Sequence, residues 1–318
     1  MPSVDLKLGM KTMNRTVLVT GVEGMIGYAV AERLRNKGWS VVGMDQRLGG
    51  AQALGVPVYK AELRDTHAIY SVLSEHACDA IVHCGAISGP MLVRDNPVLV
   101  FESNTLGTLN LLEAARRLRV KRFVFVSSLM VYGANDGSPL WEESPVRALE
   151  PYGASKIAAE AMVGAYTAQH GLDAVSARLA WVYGPRRQTV CAIRMMLQNA
   201  LSGRPTALPS GRNVFRQYVH VHDVADALIA LLEAPSLSRR VYNVSGGDYR
   251  PFTEIVDIVR EIAPEARVQV GDAPDPDDPL MGPLSIAAIA QDLGWAPSIP
   301  LRDGLVAYRD WLATPAAA

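Results

Sequence analysis

Apolar residues along the chain gather into short continuous runs, and these runs alternate with stretches of helical spacing. The runs are Thr16–Thr20, Ser40–Asp45, Val56–Lys60, Asp79–Cys84, Arg122–Ser127 and Asp173–Leu179. Between them, residues 25–37, 66–76, 97–118 and 152–169 carry apolar positions at helical intervals. A run that is apolar on both faces reads as a strand buried from two sides, so the alternation predicts a parallel sheet with helices on both faces. Right-handed crossovers leave the carboxyl ends of such strands open to a ligand. The expected fold is α/β, a Rossmann-type doubly wound parallel sheet.

Beyond residue 180 the pattern loosens. Proline and glycine cluster at Gly184-Pro185, Gly203-Arg204-Pro205 and Pro209-Ser210-Gly211, which breaks regular alternation. Helices are expected at 190–202, 222–233, 252–262, 285–292 and 303–313, and strands at 214–221 and 241–244. An acidic, proline-rich loop runs from Gly271 to Pro279. The expected division is a loose leader over 1–14 and a nucleotide-binding domain over 15–180 with returning segments near 214–245. A smaller, interleaved substrate lobe then comprises 181–213 and 246–318.

Composition narrows the function classes. A chain of 318 residues can bury a full core, and 49% hydrophobic with 20% charged residues is a folded, globular balance. The net charge of −1 gives no footprint for nucleic acid or an anionic membrane surface. No apolar run is long enough to cross a bilayer, and the first residues lack the charged-then-apolar pattern of a signal peptide. The three cysteines, Cys78, Cys84 and Cys191, make neither a disulfide framework nor a zinc site. Cytoplasm is the expected compartment.

The stretch Thr20-Gly21-Val22-Glu23-Gly24-Met25-Ile26-Gly27 joins the first strand to the first helix. Glycines there allow a tight turn, bring bare N–H groups against a pyrophosphate and seat the helix close to the sheet. The helix N-terminus adds partial positive charge at the same point. Asp45 stands 18 residues beyond Gly27, at the end of the second run. A carboxylate at that position accepts the ribose hydroxyls of NAD and repels the 2′-phosphate of NADP.

A second constellation is Tyr152-Gly-Ala-Ser-Lys156. The i, i+4 spacing on a helix puts phenol and ammonium on one face. The cation is expected to draw the tyrosine pKa down toward working pH, making the phenol a general base for alcohol oxidation.

With these motifs in place the chain resembles the extended short-chain dehydrogenases/reductases, a family of NAD-dependent epimerase/dehydratases, from Arg15 to about Trp295. Gly21-x-x-Gly24-x-x-Gly27 matches the family's glycine motif. Glu62-Leu63 resembles its adenine-contacting Asp-Ile/Leu pair, with Glu in place of Asp. Further matches are His83-Cys84-Gly85-Ala86, Asn104-x-x-Gly107-Thr108, Val126-Ser127-Ser128-Leu-Met-Val131-Tyr132-Gly133, Arg178-x-x-x-Val182-Tyr183-Gly184-Pro185 and Arg216-Gln-Tyr-Val-His-Val-His-Asp223. The resemblance implies NAD as cofactor, held by Gly21, Gly24, Met25, Ile26, Gly27, Asp45, Gln46, Glu62, Leu63, Cys84, Gly85, Ala86, Asn104, Val126, Ser127, Tyr152, Lys156 and Leu179. It implies catalysis by Tyr152 as proton carrier, Lys156 as holder of the nicotinamide ribose and Ser128 as the hydroxyl that positions the substrate oxygen. A homodimer through the helices at 97–118 and 152–169 is likewise implied. No metal is expected, because the family carries a motif like His220-Val-His222-Asp223 without one.

Departures from the family pattern bear on the substrate. Leu129 and Met130 stand where the dehydratase branch has acidic residues, which argues against water elimination. Trp181 replaces an Asn that helps UDP-sugar epimerases hold a diphosphate, and the acidic segment before Leu293-Gly294-Trp295 lacks the usual arginine. Substrate contacts are expected from Ser88, Ser128, Leu129, Met130, Tyr152, Trp181, Arg186, Arg187 and Arg216, with Arg186 and Arg187 able to grip one carboxylate or phosphate. The expectation is an NAD-dependent oxidoreductase acting on a secondary hydroxyl of a small sugar or sugar acid. Its alternatives are an NAD-dependent sugar epimerase, possibly on a nucleotide sugar, and a non-catalytic NAD-binding sensor.

Overall fold

The computed structural model describes residues 15–89, 95–189, 191–274 and 280–314. The expected leader and the stretch 275–279 of the acidic loop lie outside the described residues.

The first half alternates strands and helices as follows: β1 (Thr16–Thr20), α1 (Met25–Asn36), β2 (Ser40–Asp45), β3 (Val58–Lys60), α2 (Thr66–Glu75), β4 (Ala80–His83), α3 (Pro97–Phe101), α4 (Gly107–Arg117), β5 (Arg122–Ser128), α5 (Pro151–His170) and β6 (Ala174–Leu179). The remainder contains β7 (Trp181–Tyr183), α6 (Ala192–Leu201), β8 (Thr206–Leu208), β9 (Phe215–His220), α7 (Val221–Glu233), β10 (Val241–Val244), β11 (Tyr249–Pro251), α8 (Phe252–Ile262), β12 (Val268–Val270), α9 (Ala287–Leu293) and α10 (Leu301–Leu312).

Seven strands form one parallel sheet in the order β10-β6-β5-β4-β1-β2-β3. Successive residues of its strands point to opposite sides. Val17, Val19, Val82, Val124 and Val126 enter one core with Val30 and Leu34 of α1 and Leu228 of α7. Leu18, Ile81, Phe123 and Phe125 enter the other with Leu73 of α2, Leu111 of α4 and Val163 of α5. Burial on both sides is why these strands read as unbroken apolar runs. Strand order reverses between β1 and β4, so the crevice of the doubly wound sheet opens there.

A third core joins Met196 and Leu197 of α6, Ile255 and Val259 of α8, and Leu305 and Tyr308 of α10. A two-stranded pair, β8–β12, and a three-stranded sheet, β11-β9-β7, accompany it. β7, β8, β11 and β12 are three residues each, too short to give an alternation signal, and were not expected from the sequence. The strand expected over Val56–Lys60 begins only at Val58, because Pro57 has no N–H to give the ladder and takes part only through its carbonyl, which accepts from Gly43 N. The helix expected over 97–118 is interrupted between α3 and α4 by one π-helical turn, Glu102–Leu106, a feature common at functional sites.

Behind the crevice, Arg178 of β6 and Glu160 of α5 form a buried ion pair at 2.7 Å, with side chains 6% and 9% exposed. Ser127 donates to the same carboxylate at 2.5 Å, and Arg178 Nη1 donates to the Tyr132 hydroxyl at 2.9 Å. Tyr132 in turn donates to Asn243 Oδ1 of β10 at 2.7 Å, so one network ties α5 to three strands. Breaking a buried pair strands a charge. Arg178→Met therefore lowers the unfolding free energy by about 3–5 kcal/mol in urea denaturation, and adding Glu160→Gln recovers part of that loss.

Candidate active site

The turn after β1 brings two backbones nearly into contact. Gly21 has φ +66°, and a Cβ on it would lie 2.7 Å from Gly85 Cα at the end of β4. A Cβ on Gly27 would meet Gly21 O at 2.2 Å. α1 then opens at Gly24 with no side-chain cap, which leaves the N–H groups of its first turn, around Met25 and Ile26, for an outside acceptor. The 9%-exposed Asp45 accepts from Glu23 N and Arg47 N, each at 3.1 Å, and is thereby fixed at the end of β2. Beside it lies an open groove of about 560 Å³ lined by Gln46, Lys60, Ala61, Glu62, Arg64 and Asp65. Leu63 packs next to this groove, against Gly85 and Gly107. Bare backbone, a helix N-terminus, a fixed carboxylate and an open groove fit the pyrophosphate, ribose and adenine of a dinucleotide.

The end of β4 is held by a buried relay. Gly85 N donates to Thr20 Oγ1 at 3.1 Å, and because Thr108 gives its own proton to Asn104 O, the His83 ring donates at Nε2 and accepts at Nδ1 from Thr20 Oγ1, 2.7 Å away. His83 Nε2 then donates to Thr108 Oγ1 at 3.0 Å, and Thr108 to Asn104 O at 2.5 Å. Burial, with Lys156 adding to it, pushes the His83 pKa down to about 3 and keeps the ring neutral. Cys84, expected beside the cofactor, has its thiol pushed up to about 12 by burial.

The side chains of two residues expected at the cofactor are bonded within the protein. Asn104, in the π-helical turn, accepts from Ile87 N at 2.8 Å and donates to Ile87 O and Ser155 Oγ at 3.0 Å each. Both amide protons are used, so the Asn104 side chain positions the loop before Ser88 and the start of α5. Ser127 gives its hydroxyl to Glu160, on the far side from the crevice.

Tyr152, Lys156 and Ser128 converge at the carboxyl end of the sheet. Glu150 caps α5, accepting from Tyr152 N and Gly153 N at 2.6 Å each, with Pro151 in the first turn. One turn along, Lys156 Nζ donates to Val126 O of β5 at 2.8 Å and lies 5.9 Å from the Tyr152 ring centroid. Ser128 Oγ accepts from Met130 N at 3.2 Å, and its hydroxyl also bonds the Tyr152 phenol. The Tyr152 pKa is raised, first by burial, while the hydroxyls of Ser128 and Ser88 oppose the rise. The expectation that Lys156 makes the phenol acidic is thus corrected. The same burial brings Lys156 itself down to about 8, so ammonium and phenol both bear the cost of the dry site.

On the substrate side, Leu129 and Met130 are buried; Leu179, expected at the cofactor, is buried in β6 beside Ser128. Trp181 is half-buried, with the Arg216 guanidinium stacked 4.8 Å from its ring centroid. The two consecutive arginines part company. Arg187 turns toward Tyr152, close enough to oppose the rise in its pKa, and donates to Val182 O at 2.6 Å. Arg186 turns the other way, onto Tyr28 of α1 at 3.7 Å from the ring centroid, which corrects the expectation of a paired grip on one anion. Arg194 of α6, not anticipated, donates to Arg187 O. Glu23 was also missed: its buried carboxylate accepts from Gly49 N and Ala51 N at 2.9 and 3.0 Å. The consecutive glycines Gly49-Gly50 were the available signal. Asp223 spends both oxygens on Ser298 and Ile299, and His220 packs edge-on to His222.

Residues 17–245 match the family model for the NAD dependent epimerase/dehydratase family. The chain belongs to that family. It is an NAD-dependent enzyme of the extended short-chain dehydrogenase/reductase type, with the Rossmann-type fold expected from its sequence. Among relatives of this epimerase/dehydratase, a UDP-glucose 4-epimerase of Streptomyces lividans is 32% identical over 308 residues, 90% of this chain and 92% of its own. The structure of a Thermus thermophilus UDP-glucose 4-epimerase in complex with NAD is similar at a TM-score of 0.85 and 32% identity, covering 94% of this chain and 99% of that one. A Thermotoga maritima UDP-glucose 4-epimerase with UDP-glucose gives a TM-score of 0.88 at 25% identity, covering 93% and 98%.

Lys156 leaves a measurable trace in stability. Below pH 8 it is protonated in the folded and unfolded chain alike, and the fold bears the full cost of a dry ammonium. Between about 8 and its ordinary 10.5 the folded chain has lost the proton that the unfolded chain still holds, so stability climbs with pH. Lys156→Met therefore stabilises the cofactor-free protein at neutral pH. The expected gain is about 1–2 kcal/mol, after about 1 kcal/mol is lost to the orphaned Val126 carbonyl. Urea denaturation should show the gain shrinking as pH rises toward 10.5.

Proposed function

We propose that the protein is an NAD-dependent epimerase of a nucleotide sugar, inverting one secondary hydroxyl. The observation that carries this reading is a pair of linked arginines, Arg187 turned toward Tyr152 and Arg194 donating to the Arg187 backbone oxygen. Among the described residues, Arg187 Nε and Arg194 Nε are buried without a hydrogen-bond partner. Both arginines are only partly exposed, and a substrate diphosphate is an anion that suits two guanidinium groups. The relatives named as UDP-glucose 4-epimerases support the same reading. The substrate is assigned to the lobe formed by 181–213 and 246–318.

NAD, when bound, supplies a reversible hydride acceptor. The side chains supply the rest. Ser128 hydrogen-bonds the substrate oxygen and fixes its direction, and Tyr152 takes the hydroxyl proton as the carbon is oxidised, after its own phenol proton has passed to solvent against the rise that burial imposes. Lys156, anchored to Val126 O, keeps a positive charge a turn away from the phenol. Arg187 and Arg194 retain the ketone's diphosphate while the sugar turns its other face, and Tyr152 returns the proton on reduction. Leu129 and Met130 offer no group to remove a second proton, which disfavours dehydration.

A second reading, net oxidation of a small sugar or sugar acid, is favoured by Trp181, whose stacking holds Arg216 at the pocket wall. Incubation with UDP-sugars and NAD, followed by NMR of the sugar protons, separates the two. Epimer formation without net NADH absorbance is expected, and steady NADH release would overturn the proposal. Tyr152→Phe should lower turnover about 10²–10⁴-fold while NAD still binds.

We also propose a homodimer working in the cytoplasm. Val98 and Phe101 of α3 and Leu106 before α4 are 65%, 39% and 45% exposed, an apolar strip on the helices expected to meet a second copy. Sedimentation at micromolar concentration should give a dimer, and Val98→Asp combined with Leu106→Asp should give a monomer.

A further inference from the structure

We propose that Arg186 is a cofactor-binding residue whose guanidinium closes on the NAD pyrophosphate beside the first turn of α1. It rests on NAD as cofactor, and not on which sugar the enzyme takes.

Arg186 follows the Gly184-Pro185 turn after β7, and its backbone has φ +65°, a left-handed conformation that residues other than glycine seldom adopt. Such outliers persist where the surroundings impose them and often mark function. Here the conformation sends Arg186 away from the Tyr152 side, where Arg187 goes, and across to the nucleotide side of the crevice. Its guanidinium then lies on the face of Tyr28, and a Cβ on Gly50 would come within 2.0 Å of Nη2. Only a glycine at 50 leaves room for this guanidinium where it stands.

The position of Gly50 is itself fixed from the cofactor site. Glu23 accepts from the N–H groups on either side of it, Gly49 and Ala51, and donates its own N–H to Asp45. One chain of contacts thus runs from the carboxylate expected at the ribose, through Glu23 and Gly50, to Arg186 and Tyr28 on α1. Glu23 is a positioning residue in it.

Arg186 also lacks a countercharge: among the described residues no carboxylate pairs with it, and the Glu23 oxygens are spent on backbone. Stacking occupies the face of a guanidinium and leaves the in-plane N–H donors available. The uncapped start of α1, three residues before Tyr28, is where the pyrophosphate charge is expected. A cation reaching it from the segment that also carries Arg187 spans the crevice and hinders departure of the dinucleotide.

The test uses protein freed of nucleotide and titrated calorimetrically with ADP-ribose, with adenosine as a probe lacking phosphate. Arg186→Ala should weaken ADP-ribose binding about ten- to hundredfold, the loss of one charge-assisted contact, and leave adenosine binding unchanged. Arg186→Lys should fall between, since it keeps the charge without the fork. Gly50→Ala should weaken ADP-ribose with Arg186 intact, because the new methyl takes the place of Nη2. Unchanged ADP-ribose affinity in Arg186→Ala would overturn the proposal, as would an equal loss for adenosine, which would signify a damaged loop. Neither readout involves a sugar, so failure here is distinct from failure of the epimerase reading.

Discussion

The site depends on an ammonium kept dry. Lys156 is 3% exposed, and its charge is met by one backbone oxygen, Val126 O, and the face of Phe125 at 4.8 Å. That bond fixes α5 against β5 and so sets Tyr152 opposite Ser128. An isolated buried charge is costly, and one carbonyl and one ring do not fully offset it. The offset is spread over the surroundings: Glu160, one turn along α5, bears on Lys156 while its carboxylate is locked by Arg178 and Ser127. The helix thus carries phenol, ammonium and carboxylate at successive turns, and the carboxylate's arginine reaches into the strands behind. Rigid placement of the reacting groups is obtained at the expense of stability, as is common where catalysis needs charge in a dry place.

The cofactor side uses a different resource, the absence of side chains. Gly21 approaches Gly85 so closely that a Cβ on Gly21 would collide with the Gly85 backbone, and the turn is held from beneath by the Thr20–His83–Thr108 relay. Neutral His83 suits this role: it accepts from Thr20 and donates to Thr108 without bringing another cation near Lys156. Asn104 extends the relay to Ile87 and Ser155, and so links the end of β4 to α5. The nucleotide groove and the catalytic side chains are therefore one hydrogen-bonded unit.

The sheet, its helices and the groups Gly21, Asp45, Ser128, Tyr152 and Lys156 were legible because each leaves a local mark: a period, a glycine spacing or a fixed i, i+4 interval. What was not legible depends on direction and environment. The Tyr-x-x-x-Lys interval puts two groups on one face but is silent about how dry that face is, and burial reverses the expected shift of Tyr152. Asn104 and Ser127 lie within recognisable motifs, yet which neighbour takes their polar atoms is decided by packing across the sheet. Arg186 and Arg187 are adjacent in sequence and diverge because one φ is positive, which no residue type announces for arginine.

The same distinction bears on the substrate. Counting arginines at motif positions suggests that a diphosphate would find no clamp: Trp181 stands in one place and an acidic segment in another. Motif positions are not the only sources of charge. In the fold, α6 brings Arg194 to the backbone of Arg187, and both have a buried Nε without a partner among the described residues. A cationic pair assembled from the loop after β7 and from the next helix can serve the chemistry of an absent motif arginine. On the proposed reading, these two arginines give the pocket its preference for an anion.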